Sequence, residues 1–316
     1  MELSGRIVTV GLCPCWDTVC QLDGIDWGQH RVVSSCVNRP AGKALNISRA
    51  LAWMGQKNIA AGLWGKNDYE QMLISMRALR GQVKVKMTAV DGSTRRNVTV
   101  VDMVNNREMH LRNKSELAST RALKKLQADL ENIVHSGSVC VFAGTMPESE
   151  LLCKIVRTVK SCSSRRARIM LDTSGRALRE IVNTGAAWLI KPNVEELCEL
   201  LGEQVRDEPV SLAEAGRKLL DKVEIVLISR GRRGSVVVTR RGAWQGRCIG
   251  RARVLSTVGC GDYLLAGFLK ALKDKADVGS ALRTATKVAT AKAWGWEENK
   301  SWPQAKRSVS VKIERM

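Results

Sequence analysis

Short runs rich in β-branched residues alternate with longer amphipathic stretches along almost the whole chain, and few architectures accept that rhythm. Runs near 58–63, 138–143, 167–172, 187–190 and 224–229 read as strands, each followed by a helical pattern. The apolar run Ile7 to Leu12 reads as a first buried strand. Strands joined through helices pair in parallel, because a helical crossover returns the chain to the edge it left. The expected class is therefore α/β with a mostly parallel central sheet. Two segments, 17–39 and 90–112, break the rhythm. Alternating residues such as Asn97-Val98-Thr99-Val100-Val101-Asp102 read as exposed antiparallel strands, which suggests a small β-sheet lid on a larger body. No repeat period, low-complexity tract or Pro/Gly/Ser linker divides the chain, so residues 1–316 are expected to form a single domain with the lid as two excursions from it.

Lys and Arg number 51 against 31 acidic residues, a formal charge of +20 that favours anionic ligands. Nucleic acid is not the expected one: the basic residues are spread along the chain, and only two Tyr and two Phe are present for base stacking. The nine Trp are expected in the core. No run of about 18 apolar residues could cross a bilayer, and the opening strand lacks the flanks of an export signal, so no membrane partner and a soluble, cytoplasmic protein are expected. The ten cysteines should then be reduced. Cys13, Cys15 and Cys20 cluster, but no second Cys/His pair at finger spacing accompanies them, and His30, His110 and His135 are scattered, which argues against zinc.

Chemistry concentrates in Ser256-Thr257-Val258-Gly259-Cys260-Gly261-Asp262, followed by the apolar helical run Tyr263 to Leu269. Two glycines around one small residue leave the backbone N–H groups of 259–262 uncovered at a helix N-terminus, a setting for an anionic phosphate. A carboxylate beside a phosphate suits a base that accepts the proton of an attacking hydroxyl; Asp262 could equally do no more than cap its helix. This stretch resembles the second signature of the PfkB/ribokinase carbohydrate kinase family, D/N-[ST]-x-G-A-G-D, with Cys260 in place of the usual Ala. Ala41-Gly42-Lys43-Ala44-Leu45-Asn46-Ile47-Ser48-Arg49-Ala50-Leu51 is similar to the first signature, G-G-K-G-x-N-x-A/S-x-x-L, with alanines at two usual glycines. An alanine there is strained if its position requires φ > 0.

The resemblance continues in family order from residue 9 to about residue 296. It implies a three-layer ribokinase-like fold with a β lid, ATP and Mg2+ as cofactors, Asp262 as catalytic base, and Gly259, Cys260 and Gly261 as its anion turn. It places Gly42, Lys43 and Asn46 in the sugar pocket. Pro14-Cys15-Trp16-Asp17 stands for N-P-A-x-D, with Asp17 accepting from sugar hydroxyls. Thr94-Arg95-Arg96-Asn97 stands for T-R-x-N, whose first Arg faces a substrate phosphate. Arg31 and Arg112 match basic lid positions and could equally be exposed edge charges. Gly144-Thr145-Met146-Pro147 and Asp172-Thr173-Ser174-Gly175 match G-S-L-P and D-[ST]-S-G at strand ends, where open α/β sheets bind ligands.

On the nucleotide side, Lys191-Pro192-Asn193-Val194-Glu195-Glu196 matches K-P-N-x-x-E, whose Asn193 and Glu196 would hold hydrated Mg2+. Ser229-Arg230-Gly231-Arg232-Arg233-Gly234 resembles the turn S-x-G-x-x-G over the nucleotide, which Thr257 would also contact. The arginines within that turn reach the ATP phosphates or water. Ala291-Lys292-Ala293-Trp294-Gly295-Trp296 departs from the small residues usual near the adenine. T-R-x-N, D-[ST]-S-G and K-P-N-x-x-E together look most like the 1-phosphofructokinase/tagatose-6-phosphate kinase branch. The implied reaction moves a phosphoryl group from ATP to a ketohexose phosphate such as fructose 1-phosphate, fructose 6-phosphate or tagatose 6-phosphate, in a homodimer joined through the lids. The alternative is a non-catalytic sugar-phosphate sensor of the same fold.

Overall fold

The computed structural model describes residues 3–105, 107–147 and 150–316. Its first strand, β1 (Ile7–Gly11), is buried along its whole length and pairs in parallel with β4 (Asn58–Gly65) on one side and β8 (Val139–Ala143) on the other. Between β1 and β4 come β2 (Cys15–Leu22), β3 (Ser35–Ala41) and α1 (Lys43–Trp53). After β4 follow α2 (Tyr69–Ser75), β5 (Val83–Val90), β6 (Arg96–Asp102), β7 (Arg107–Leu111) and α3 (Thr120–Glu131). Beyond β8 the chain alternates through α4 (Leu152–Ser164), β9 (Arg168–Asp172), α5 (Gly175–Asn183), β10 (Ala187–Ile190), α6 (Val194–Leu201) and α7 (Pro209–Arg217) to β11 (Ile225–Ser229). It ends with β12 (Ser235–Thr239), β13 (Gly242–Cys248), α8 (Cys260–Lys273), α9 (Val278–Ala293), α10 (Trp296–Asn299), α11 (Trp302–Ser308) and β14 (Val311–Arg315).

The main sheet has the order β14-β13-β12-β11-β10-β9-β8-β1-β4-β5. Its central strands β1, β4, β8 and β10 are buried along their whole length and so on both faces, since successive side chains of a strand point to opposite sides. Cys140 and Phe142 join the core beneath α3, α4, α5 and α7, whereas Val139 and Val141 join the core beneath α1, α8 and α9. Helix α8 buries Leu264, Leu265, Phe268 and Leu269 in the second core; each such side chain contributes about 1.5–3 kcal/mol. Those two helical layers around one sheet make the three-layer α/β fold anticipated from the alternation. All strands from β11 through β5 run parallel, so the carboxyl ends of β1, β8, β9, β10 and β11 open on one edge.

Three expectations are corrected. The alternation of strand and helix stops at β11, where Gly231 (φ 56°) and Gly234 (φ 92°) turn the chain directly into antiparallel β12, and β13 and β14 extend that edge. The lid, a separate sheet of order β3-β2-β6-β7, is mixed: β2 pairs antiparallel with β3 but parallel with β6. Parallel pairing is possible because the intervening chain passes through β4 and β5 of the body before returning. The tryptophans also divide. Trp16 and Trp64 are buried edge to face at 5.7 Å, while Trp27 is 90% exposed, outside any core.

Candidate active site

Helices α1 and α8 start at neighbouring points on the carboxyl edge of the sheet. Gly259 caps α8 with φ +78°, a left-handed conformation that a side chain disfavours, and Gly42 caps α1 with φ +114° against the Cys13–Pro14 turn. Ala41 and Ala44, at the two usual glycine positions, are not among the described non-glycine residues with positive φ, so their methyl groups carry no such strain. Ala41 ends β3 and Ala44 lies within α1, both buried.

Asp262, in the first turn of α8, is 4% exposed and accepts a 2.7 Å hydrogen bond from Asn46 Nδ2 on α1. Beside it, at the end of β9, Asp172 is fully buried; its Oδ1 lies 2.9 Å from Lys43 Nζ and 3.2 Å from Lys191 Nζ. Lys191 reaches the anion turn itself, since a Cβ placed on Gly261 would stand 3.3 Å from its Nζ. Gly144 (φ 102°) brings the end of β8 against the same cluster: a Cβ there would lie 3.8 Å from Lys43 Cβ.

These neighbours set the proton affinities. Burial, with the Asp172 charge adding to it, raises the Asp262 carboxyl to about 7, against the opposing Asn46 hydrogen bond and the Lys43 and Lys191 ammoniums. Burial alone would raise Asp172 too, but Lys191 and Lys43 hold it below its ordinary value. Burial works against the Lys43 ammonium, yet Asp172 overcomes it and carries Lys43 up to about 12. The outcome is a carboxylate whose affinity for a proton suits exchange near neutral pH, the Lys43 and Lys191 side chains and a row of bare amides, all at one edge.

Asp17 lies in β2, a strand of the lid itself, in register with Arg39 of β3 and Asn97 of β6, whose Nδ2 is 3.5 Å from its Oδ1. Arg112 follows β7, and its charge reaches the Cys15 thiol beside Asp17. Thr145 is exposed at the end of β8, and Thr257 is exposed at the mouth of the α8 turn. Cys260 N–H holds that turn through the Thr257 carbonyl at 3.3 Å.

Three placements differ from expectation, and a fourth, Arg31, is the exposed charge that the sequence left open. Arg95, expected to face a substrate phosphate, directs its guanidinium at the carbonyls of Cys13, Pro14 and Asn113, at 3.0, 3.3 and 2.8 Å, bracing the chain beside Gly42. Arg31 pairs with Asp26 at 3.2 Å on an exposed loop outside the strands. In the nucleotide turn, where Ser229 ends β11, Arg230 and Arg233 both grip Asp207 at 2.5 Å, and Arg232 is exposed. Asn193 and Glu196, expected to hold metal, form a reciprocal cap on α6: Asn193 Oδ1 accepts from Glu196 N–H at 2.8 Å and Glu196 Oε2 accepts from Asn193 N–H at 2.9 Å. Both side chains are committed to the cap, but Glu196 alone keeps a second carboxylate oxygen, so the metal expectation narrows to it. Among the described residues no group of three or more His, Cys, Asp and Glu converges as a metal cage.

Sequence reasoning gave Asp172 no role beyond its motif. The signal was present in Lys43 and Lys191 themselves, because two lysines in one pocket require a buried acid.

The pattern of the pfkB family carbohydrate kinases matches residues 5–293. The chain is 28% identical over 255 residues to a 1-phosphofructokinase of Borreliella burgdorferi, covering 78% of this chain and 80% of that one. It is 26% identical over 295 residues to a 1-phosphofructokinase of Bacillus subtilis, covering 92% and 93%. Its fold matches Escherichia coli phosphofructokinase-2 in complex with fructose-6-phosphate, with a TM-score of 0.87 at 21% identity over 96% of this chain and 97% of that one.

Proposed function

The chain belongs to the pfkB family of carbohydrate kinases, and on that premise we propose that it phosphorylates fructose 1-phosphate with ATP. It is an ATP-dependent sugar-phosphate kinase; the choice of acceptor is the reading advanced here. The relatives named 1-phosphofructokinase support that choice, and one observation carries the transfer itself: the Asp262 carboxylate, held by Asn46 at 2.7 Å, shares its turn with uncovered amides and faces the Lys43–Asp172–Lys191 cluster. The free primary hydroxyl of the sugar approaches Asp262, which takes its proton as the new O–P bond forms and the bond from the γ-phosphorus to the ADP oxygen breaks. The amides of Gly259 to Asp262 receive the charge on the transferred group, and Lys191 supports that turn from below. Asp17 and Asn46 orient the sugar, and Lys43 attracts the phosphate it already carries. Arg112 is placed to add to that attraction.

Glu196 is a hard oxygen donor of the kind that suits a hydrated magnesium, and Asp172 Oδ2 is a second carboxylate oxygen buried without a hydrogen-bond partner. Glu196, through water, would hold the ion, which would neutralise charge on the ATP phosphates. The lid supports a homodimer: Met109 and Leu111 of β7, 44% and 51% exposed, stand beside Val100 and Val98 of β6 as an uncovered apolar patch. No described helix is long and apolar enough to cross a membrane. The sensor alternative is not favoured, because the base is in place and the two alanines introduce no positive-φ strain.

A coupled ATP-turnover assay over fructose 1-phosphate, fructose 6-phosphate and tagatose 6-phosphate tests the reading. Fructose 1-phosphate should give the highest kcat/KM; turnover no higher with any of the three than with water alone would end it. The acidity of Asp262 adds a second expectation. The base must be ionised, so kcat should rise with pH through about 7 and level off above it. A rate that is flat from pH 5 to 9 would assign proton removal elsewhere.

A further inference from the structure

We propose that Lys292, held by Glu297, is a built-in cation of the phosphoryl-binding turn and strengthens its grip on the terminal phosphate of ATP. The inference rests on the kinase reading and adds to it a residue that lies outside both signature motifs.

Lys292 occupies the last turn of α9. Its Cε lies 3.7 Å from a Cβ placed on Gly259, a point equally 3.7 Å from Asn46 Nδ2 and Asp262 Oδ2. Lys191 stands against Gly261, so each glycine of the turn has a lysine side chain beside it. The Lys292 ammonium pairs with Glu297 and lies 5.5 Å from the centre of the Tyr263 ring, one residue beyond the base. The pair is largely removed from water, with side-chain exposures of 13% and 8%.

The local chain makes this arrangement. Helix α9 ends at Trp294, and Gly295 (φ 67°) reverses direction, so that Glu297 on α10 returns to Lys292. Trp294 and Trp296 meet at 4.7 Å and close the end of α9 with Ala305 and Val309. Glu297 Oε2 is buried without a hydrogen-bond partner, so the carboxylate is compensated chiefly by Lys292.

The pair is oriented. At the Cys260 thiol, which burial pushes up to about 11, the Lys292 charge counts for more than that of Glu297. Its positive end therefore faces the turn. In a site with little water such a charge is weakly screened and adds to the partial charges of the amides.

The test compares affinities for AMP-PNP and for adenosine, by calorimetry, in the full-length protein and three variants. The double variant Lys292→Met with Glu297→Gln removes both charges without leaving a buried carboxylate alone. It should bind AMP-PNP about tenfold more weakly and adenosine unchanged. Lys292→Arg should stay within about threefold of the parent for both. Glu297→Gln alone, which leaves the ammonium uncompensated, should bind AMP-PNP as well as the parent or better, and this variant decides the matter if the double one does not fold. Equal losses for the two ligands would mean a packing role only; unchanged AMP-PNP affinity in the double variant, or weakened affinity in Glu297→Gln, would also overturn the proposal. A parent that bound AMP-PNP but phosphorylated no sugar phosphate would refute the kinase reading while leaving this comparison decisive.

Discussion

Replacing Asp262 with asparagine should lower kcat by about 100-fold or more while ATP affinity stays near that of the parent, because the amide cannot accept the sugar's proton but fills the same space. The side chain is buried and bonded to Asn46, so a near-isosteric change keeps the turn that binds phosphate. The same substitution should raise thermal stability above neutral pH. Folding raises the Asp262 pKa from its ordinary 3.8 to about 7, so the folded state binds this proton more tightly than the unfolded chain does. The stability this contributes is complete below the unfolded value and lost as pH rises through the folded one. At pH 8 the ionised carboxylate thus withholds on the order of a few kcal/mol of stability, which Asp262→Asn should return. Turnover at pH 8 and urea midpoints at pH 5 and 8 measure both effects. Near-parental turnover would remove Asp262 from the chemistry, and equal midpoints would show that the carboxyl is not buried as an anion.

Asp172→Ala should cost folding about 3–5 kcal/mol, because it leaves two ammoniums in one pocket without their common counterion. Lys191 is only 4% exposed and cannot recover its hydration without moving the end of β10. The milder Asp172→Asn keeps the shape and serves for kinetics. Asp172 is the charged neighbour that raises Asp262, so the midpoint of the pH–rate profile should move to lower pH in this variant. The KM for the sugar phosphate should rise as Lys43 loses its anchor. A loss under 1 kcal/mol in Asp172→Ala, read from urea unfolding, would mean that the lysines find another partner.

The site was legible where function imposes a local pattern. Gly259, Gly261 and Asp262 must be contiguous to make a turn of bare amides with an acid in the following helix, and Gly42, Lys43 and Asn46 must share one helix start. It was not legible where a residue's role depends on who arrives from elsewhere. Arg95 has the sequence of a phosphate ligand, but three carbonyls converge on it. Asn193 has the sequence of a metal residue, but α6 begins there and needs a cap. Lys292 looked like a departure at the adenine end until α9 carried it to Gly259.

Read alone, the chain determined its class, its parallel strands, the lid segments and the glycine turn that opens α8 with an acid beside it, because periodicity and turn chemistry act over a few neighbouring residues. Only the folded structure decided that β2 and β6 run parallel, that β12 to β14 close the sheet edge, and that Asp172 neutralises both Lys43 and Lys191. The physical reason is distance along the chain. Lys43 and Asp172 are 129 residues apart, and Asn46 and Asp262 are 216 apart, so their pairing follows from how the layers pack and from no spacing that a linear pattern contains.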